Sequence, residues 1–266
     1  MSVITQKQGT LEYLTAEGIL VPHCFTTRRG GVSAGIFDSL NLTHHRGDEA
    51  EHVEQNHIIL SNAIGYDRGK LVMCRQTHSD IVRVVTAADA MGADHHAYPE
   101  CDGLITNTPG VALMVFTADC TPILLWDEES GAVGAVHAGW RGTAAGIAAR
   151  AVKAMTEHFD CNPVRIHAAI GPNIGPCCFE TDADVPMAMR ETYGKAAEEW
   201  IQSAGKKFYL NLKELNALSL RQAGVEKIEI SDQCTACRPD FLWSHRVTGG
   251  QRGSQGAVIV CQGGEA

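Results

Sequence analysis

A cysteine and two histidines carry the chemistry most readily legible in this chain, because each stands at the edge of an apolar run. Cys120 lies in TADCTPILLW, after the run 111–116 and before the run 122–126. His137 closes the run 132–136 and opens the small-residue turn AGWRG, while His78 in RQTHSDIVRVV precedes a third apolar run. If these runs are strands, a rigid sheet holds all three groups in end loops, where binding and catalytic side chains concentrate. A thiol and two imidazoles can ligate a metal, or serve as nucleophile and base. Each also has a plain reading as a satisfied polar residue, so the question is whether the three converge.

Further polar groups bear on the same point. Asp102, in CDGLIT, either orients a histidine and handles protons or closes an Asx turn. The AGWRG turn precedes a helical pattern, GTAAGIAARAVKAMTEHF; Gly139, Arg141 and Gly142, with the first N–H groups of that helix, make an anion seat. The spacing is not that of a P-loop. Arg28 and Arg29, beside Gly30 and Gly31, read as either an anion site or a solvated turn. Cys234 and Cys237 form one CxxC pair, with no second such pair to complete a tetrahedral zinc site.

The elements that must position these groups follow from periodicity and punctuation. Strands are predicted at 71–74, 81–85, 111–116, 122–126, 132–136, 164–170, 206–212 and 226–230. The end, FLWSHRVTGGQRGSQGAVIVC, reads as strand, Gly-rich turn and strand, with His245 and Arg246 facing the pocket. Helices are predicted from the acidic stretch after Asp48 to Gly65, from just beyond Arg141, from an acidic start near Asp182, and from an Asn211 cap through Gln222. On the first helix His52 and His57 miss the i, i+4 spacing of a shared metal face and read as exposed. The adjacent pairs His44–His45 and His95–His96 diverge in strand geometry, so neither pair alone makes a metal site.

Composition bounds the class. The chain has 266 residues, 44% hydrophobic and 20% charged, with no Pro/Ser/Gly-rich linker, which predicts a single domain over 1–266 with a sizeable core. A formal charge of −9 argues against a nonspecific nucleic-acid binder. No apolar run reaches the ~20 residues of a membrane span, and the start lacks the apolar core of a signal peptide, so a cytoplasmic location is expected. Ten cysteines in such a chain read as reduced thiols rather than a disulfide framework.

The segments FTTRRGGVSAGIFDSLNL, RQTHSDIV, CDGLIT, TADCTPILL, AVHAGWRGT, IGPNIGPCCFE and LNLKELN followed by CTAC resemble the bacterial polyphenol oxidase or laccase-domain family, understood as multifunctional purine nucleoside phosphorylases. The resemblance spans about Phe25 to Arg246, and TADC with HAGWRG is its specific part. It implies an α+β fold, a single mixed α/β sandwich with mixed β-sheets flanked by helices. It also implies that His78, Cys120 and His137 form a three-ligand metal site, usually zinc. Adenosine and inosine, with guanosine and methylthioadenosine as further candidates, are the implied substrates. Phosphate is the co-substrate, and adenosine deamination an additional activity. Departures from the family pattern are Ser79 where glycine is common, Asn173 where cysteine is common, and the segment GGQRGSQG.

Three protein ligands leave a zinc position open for water, whose pKa falls to ~7, and attack of that water on purine C6 accounts for deamination. A carboxylate then carries protons, and Asp102, Asp119 and Glu180 are the candidates. Phosphorolysis needs an anion seat, for which Arg141 is the first candidate, with Arg75 and Arg46 as further ones. Two other classes remain: a metal-free Cys–His hydrolase with Cys120 as nucleophile, disfavoured by a second histidine competing for one thiolate, and a copper-dependent polyphenol oxidase. No HxH occurs in the sequence to build a trinuclear site, although copper could occupy the thiolate–imidazole site opportunistically. The expected partners are small molecules, and the chain is expected as a monomer or dimer.

Overall fold

The longest apolar runs show no polar alternation, because the strands they form are covered on both faces. The structure, a computed structural model, describes residues 3–90 and 99–264. In chain order it contains β1 (Val3–Gln8), β2 (Leu11–Ala16), β3 (His23–Thr26), α1 (Ala50–Ile64), β4 (Leu71–Val72), β5 (Val82–Val84), β6 (Gly103–Thr106), β7 (Ala112–Thr117), β8 (Thr121–Asp127) and β9 (Val133–Ala138). There follow α2 (Trp140–Ala144), α3 (Ile147–Phe159), β10 (Ile166–Ile170), β11 (Glu180–Thr181), α4 (Asp184–Tyr193), β12 (Ile201–Ala204), β13 (Lys207–Leu210), α5 (Leu212–Gln222), β14 (Lys227–Ile230), α6 (His245–Thr248) and β15 (Gln255–Val260).

Two six-stranded mixed sheets result, in the orders β1-β2-β3-β15-β7-β4 and β14-β10-β8-β9-β6-β5. Their inner faces meet in one core: Leu113, Val115, Ala257 and Ile259 from the first sheet pack with Leu124, Trp126, Val133 and Ala135 from the second. The intervening residues face outward. Met114 and Val258 lie under Leu60 of α1, and Ile123 and Leu125 lie under Val152 and Met155 of α3 with Leu220 of α5. Each such side chain contributes ~1.5–3 kcal/mol through burial, so the period-2 register is strongly specified. A smaller sheet, β11-β13-β12, packs with α4 around Phe179, Met189, Tyr193 and Leu210.

The chain changes sheets three times where it matters. It passes from β4 in the first sheet to β5 in the second, from β6 to β7, and then from β7 to β8. Cys120 sits in the last of these connections, and His78 in the first.

The mixed sandwich of sheets flanked by helices is the predicted fold class, and Asn211 caps α5 through its side-chain oxygen, which accepts from Glu214 N–H. Three local readings need correction. The helix after the AGWRG turn is broken: α2 contains Arg141, and Gly146 at φ 74° starts α3 on a new axis. The apolar run at 241–243 is buried without being a strand; Trp243 donates its indole N–H to the Leu40 carbonyl, and Ser244 caps α6. His57 is buried, not exposed; its Nε2 is 2.9 Å from the Leu42 carbonyl and its ring stacks on His44 at 5.8 Å. His95 and His96 lie outside the described residues. No helix among the described residues is long and apolar enough to cross a membrane.

Candidate metal centre and its cleft

His78, Cys120 and His137 do converge, with their ligand atoms all within 4.8 Å of one another. Cys120 Sγ lies 3.8 Å from His78 Nε2, and the two imidazoles meet edge to face with centroids 5.0 Å apart. His137 is the penultimate residue of β9 and is held by the second sheet, its N–H donating to the Asp102 carbonyl at 2.7 Å. Gly139 completes the enclosure by being small: a Cβ there would lie 2.6 Å from His78 Cδ2 and 3.3 Å from Cys120 Sγ.

Asp102 organises this group from behind. It is fully buried, and Oδ1 lies 2.7 Å from His137 Nδ1. The same carboxylate accepts the backbone N–H groups of Thr77, His78 and Ser79 and the Ser79 hydroxyl. Those bonds hold the turn in which His78 adopts φ 61°, a region costly for a residue with a Cβ. Ser79, in the position where glycine is expected from the family pattern, adds the hydroxyl bond.

The electrostatics follow from the same contacts. Burial would raise the Asp102 carboxyl, but hydrogen bonds from His137 and Ser79 outweigh it and hold the group well below the usual carboxylate range. Burial likewise opposes ionisation of Cys120, yet the His137 charge, with hydrogen bonds from both histidines, brings the thiol down to about 6. For His137 burial is outweighed by the Cys120 thiolate and Asp102, which raise it to about 9. In the metal-free protein the pair is thus a thiolate beside an imidazolium, a donor set soft enough and charged enough to suit a thiophilic cation such as zinc.

The three residues open into a cleft of about 460 Å³ that Thr43, His45, Phe116 and Ser254 also line. Arg46, Arg75 and Arg252 stand on its walls in a chain of net charge −9, and Arg75 is also paired with the Glu100 carboxylate at 2.5 Å. Gln76 fixes the wall by hydrogen-bonding both Phe116 backbone groups at 2.7 Å, extending the β4–β7 ladder with a side chain. Arg252 is nearly buried; burial and the Arg46 charge bring its guanidinium down to about 10. Its Nη1 donates to the Gly253 carbonyl and Ser254, while Nε is buried with no hydrogen-bond partner among the described residues.

The remaining candidates lie elsewhere. Arg141 is exposed on α2, with its guanidinium 4.2 Å from the Trp140 ring, and is not a lining residue of the cleft. Asp119 uses both oxygens to hold loops: Thr235 donates to Oδ1 at 2.5 Å and the Arg246 backbone N–H to Oδ2 at 2.7 Å. Glu180 is exposed and accepts from the Tyr209 hydroxyl. Arg28 and Arg29 are engaged with the Asp38 carbonyl and with Asp240. His245 and Arg246 do not line the cleft; the Arg246 guanidinium donates to the Cys178 and Glu180 carbonyls. Arg252 was not a sequence candidate; its signal was a lone cation in a Gly-rich loop just before a buried strand.

Comparison with known proteins agrees with this architecture. The family described as multi-copper polyphenol oxidoreductase laccase matches residues 22–262. A protein of Deinococcus radiodurans named purine nucleoside phosphorylase is 40% identical over 249 residues, covering 94% of this chain and 92% of the relative. The Geobacillus stearothermophilus purine nucleoside phosphorylase YlmD is 38% identical over 240 residues, 88% of each chain. The crystal structure of YlmD from that organism superposes with a TM-score of 0.92 at 34% identity, covering 98% of this chain and 99% of the other. With the match spanning nearly the whole chain, this protein belongs to the multi-copper polyphenol oxidoreductase laccase family.

Proposed function

We propose that this chain, acting as one domain over 1–266 in the cytoplasm, is a zinc-dependent purine nucleoside phosphorylase. In this reading it cleaves adenosine and inosine, with guanosine and methylthioadenosine as further substrates, to free base and ribose 1-phosphate, and also deaminates adenosine. The observation that carries the reading is one cleft joining a three-donor metal group to three arginines. The names of the relatives support it.

His78, Cys120 and His137 would hold the zinc, which when bound supplies Lewis-acid polarisation of an oxygen in the cleft. Asp102 keeps the proton of His137 on Nδ1, which would leave the Nε2 lone pair free to ligate a metal shared with Cys120 and His78. We assign phosphate to Arg46, Arg75 and Arg252, since Arg141 lies outside the cleft. Their charge draws the anion in and steadies it against C1′ while the C1′–N9 bond breaks, and Phe116 offers apolar surface for the base. None of Asp102, Asp119 and Glu180 lines the cleft, so Asp102 acts as the positioning carboxylate and Asp119 as a loop anchor.

Incubating purified, zinc-loaded protein with adenosine, with and without phosphate, tests the reading. Phosphate-dependent adenine and ribose 1-phosphate are expected, with inosine as the product of deamination; formation of neither product would sink it. The Cys120 thiolate beside the His137 imidazolium favours a second reading as a Cys–His hydrolase acting through an acyl-thioester. Full activity of metal-free protein, abolished by alkylation of Cys120, would select that alternative. Multicopper phenol oxidation has poor ligand supply: among the described residues, the groups that could hold a metal are this triad and one cluster of cysteines.

A further inference from the structure

The CTAC pair does acquire a partner pair, and it comes from a distant loop. Cys177 and Cys178, in GPCC after β10, meet Cys234 and Cys237, and the four sulfurs all lie within 4.8 Å of one another. We propose that these four cysteines form a structural zinc site, separate from the cleft and independent of the activity assigned to it.

Geometry and chemistry both fit. Thiolates around a tetrahedral zinc at ~2.3 Å sit about 3.8 Å from each other. Cys237 Sγ lies 3.5 Å from that of Cys177 and 3.4 Å from that of Cys178, close to this separation. Four sulfur donors fill the coordination sphere, which is the closed arrangement of a structural site. Core filling accounts for buried cysteines such as Cys24 and Cys261, but Cys177 and Cys237 are exposed, where a small apolar residue has little packing to gain.

The surroundings are arranged for thiolates. The Gly175 N–H donates to Cys234 Sγ at 3.1 Å, and a Cβ at Gly175 would crowd Cys234 Cβ at 3.2 Å and Cys177 Sγ at 3.4 Å. Lys213 is buried nearby, donating to the Ser231 and Gln233 carbonyls; burial lowers its pKa, and the neighbouring Cys234, Asp232 and Cys177 charges oppose that shift in part. A buried cation offsets the negative charge that four thiolates leave around a divalent ion. The ion would join the loop after β10 to the turn after β14. That turn also carries Thr235, which holds Asp119 next to Cys120.

The test is metal stoichiometry in the full chain, purified under reducing conditions with zinc supplied. In a His78→Ala, Cys120→Ser variant, which removes donors from the cleft, one zinc per chain is expected to remain. X-ray absorption should show it ringed by four sulfurs at ~2.3 Å. Adding Cys237→Ser should remove that last equivalent, and cobalt(II) replacing the zinc should show tetrahedral-thiolate visible bands that vanish with the same substitution. Should the multiple variant fail to fold, native mass spectrometry of the wild type decides: two zincs per chain support the site, and one or fewer overturns it. A zinc-free cluster in the folded variant overturns it too, as does a Cys177–Cys237 or Cys178–Cys237 disulfide in the reduced preparation.

Discussion

Two clusters of donors sit on either side of Asp119, and they are built in opposite ways. The cleft group mixes one sulfur with two imidazoles, is backed by the buried Asp102 carboxylate, and faces a cavity. The second group is all sulfur, reaches the surface at Cys177 and Cys237, and is backed by the Lys213 ammonium. An anion behind an imidazole strengthens it as a ligand and fixes its tautomer, while a cation behind four thiolates relieves their mutual repulsion. Three donors leave room for a reacting group; four do not. The contrast teaches that donor number and the sign of the backing charge separate a site built to react from one built to hold.

The comparison breaks most sharply if the two groups fail to behave independently. Cys120→Ser should cut phosphorolysis by ~10³-fold or more in a zinc-loaded steady-state assay, as expected for loss of a metal ligand. Asp102→Asn should weaken zinc at the cleft by ~10- to 100-fold while leaving the cysteine cluster loaded. Equal loss at both groups, measured by competition with a chromogenic chelator, would refute the division.

Acid should strike the cleft side through His57. Burial, the largest influence, lowers His57 from 6.5 to about 4, so the folded state excludes a proton that the unfolded chain accepts. Its contribution is full above pH ~6.5 and is lost progressively as pH falls toward 4, about 3 kcal/mol in all. Urea midpoints at pH 7 and pH 5 should therefore differ more for the wild type than for His57→Gln, which retains an N–H donor for the Leu42 carbonyl. Parallel shifts in both proteins would show that His57 is not the acid-sensitive prop of the loop carrying His45 and Arg46.

Thiol reactivity sharpens the contrast further. In metal-free, reduced protein at pH 7, Cys120 at about 6 is mostly thiolate, whereas burial and hydrogen bonds within the cluster push Cys177 up to about 11. The lower intrinsic nucleophilicity of the more acidic thiol offsets part of that advantage. Iodoacetamide followed by peptide mapping should thus label Cys120 about 10²-fold faster than Cys177, although Cys177 is the more exposed; the reverse order would contradict the thiolate–imidazolium pair. On the phosphate side the expected effect is on KM. Arg252→Ala should raise KM for phosphate by ~10- to 100-fold, the loss of a charged hydrogen bond, and an unchanged KM would move the anion off this wall.

The three converging donors were legible because they sit where apolar runs end, and the runs at 111–116, 122–126 and 132–136 became strands near those bounds. Asp102 was visible as a turn residue, but four of its five hydrogen bonds depend on the approach of residues 77–79, which periodicity cannot report. Arg252 and the meeting of Cys177 with Cys237 were hidden for the same reason: contacts across some sixty or more residues are set by how the sheets pair. The run at 241–243 misled because burial, not strand pairing, accounts for its apolar residues. His57 misled because helical spacing says which face a residue occupies, and a second loop, at 42–46, covers that face.

The passage of the chain between sheets has a consequence for assembly. His137 belongs to one sheet, while Cys120 and His78 lie in connections that link it to the other. A sliding of one sheet over its neighbour by even an ångström would pull the donors apart before it unpaired a single strand. Metal binding at this seam would therefore read out the docking of the sandwich halves, because a chain that has formed both sheets but not yet packed them has no converged donor group.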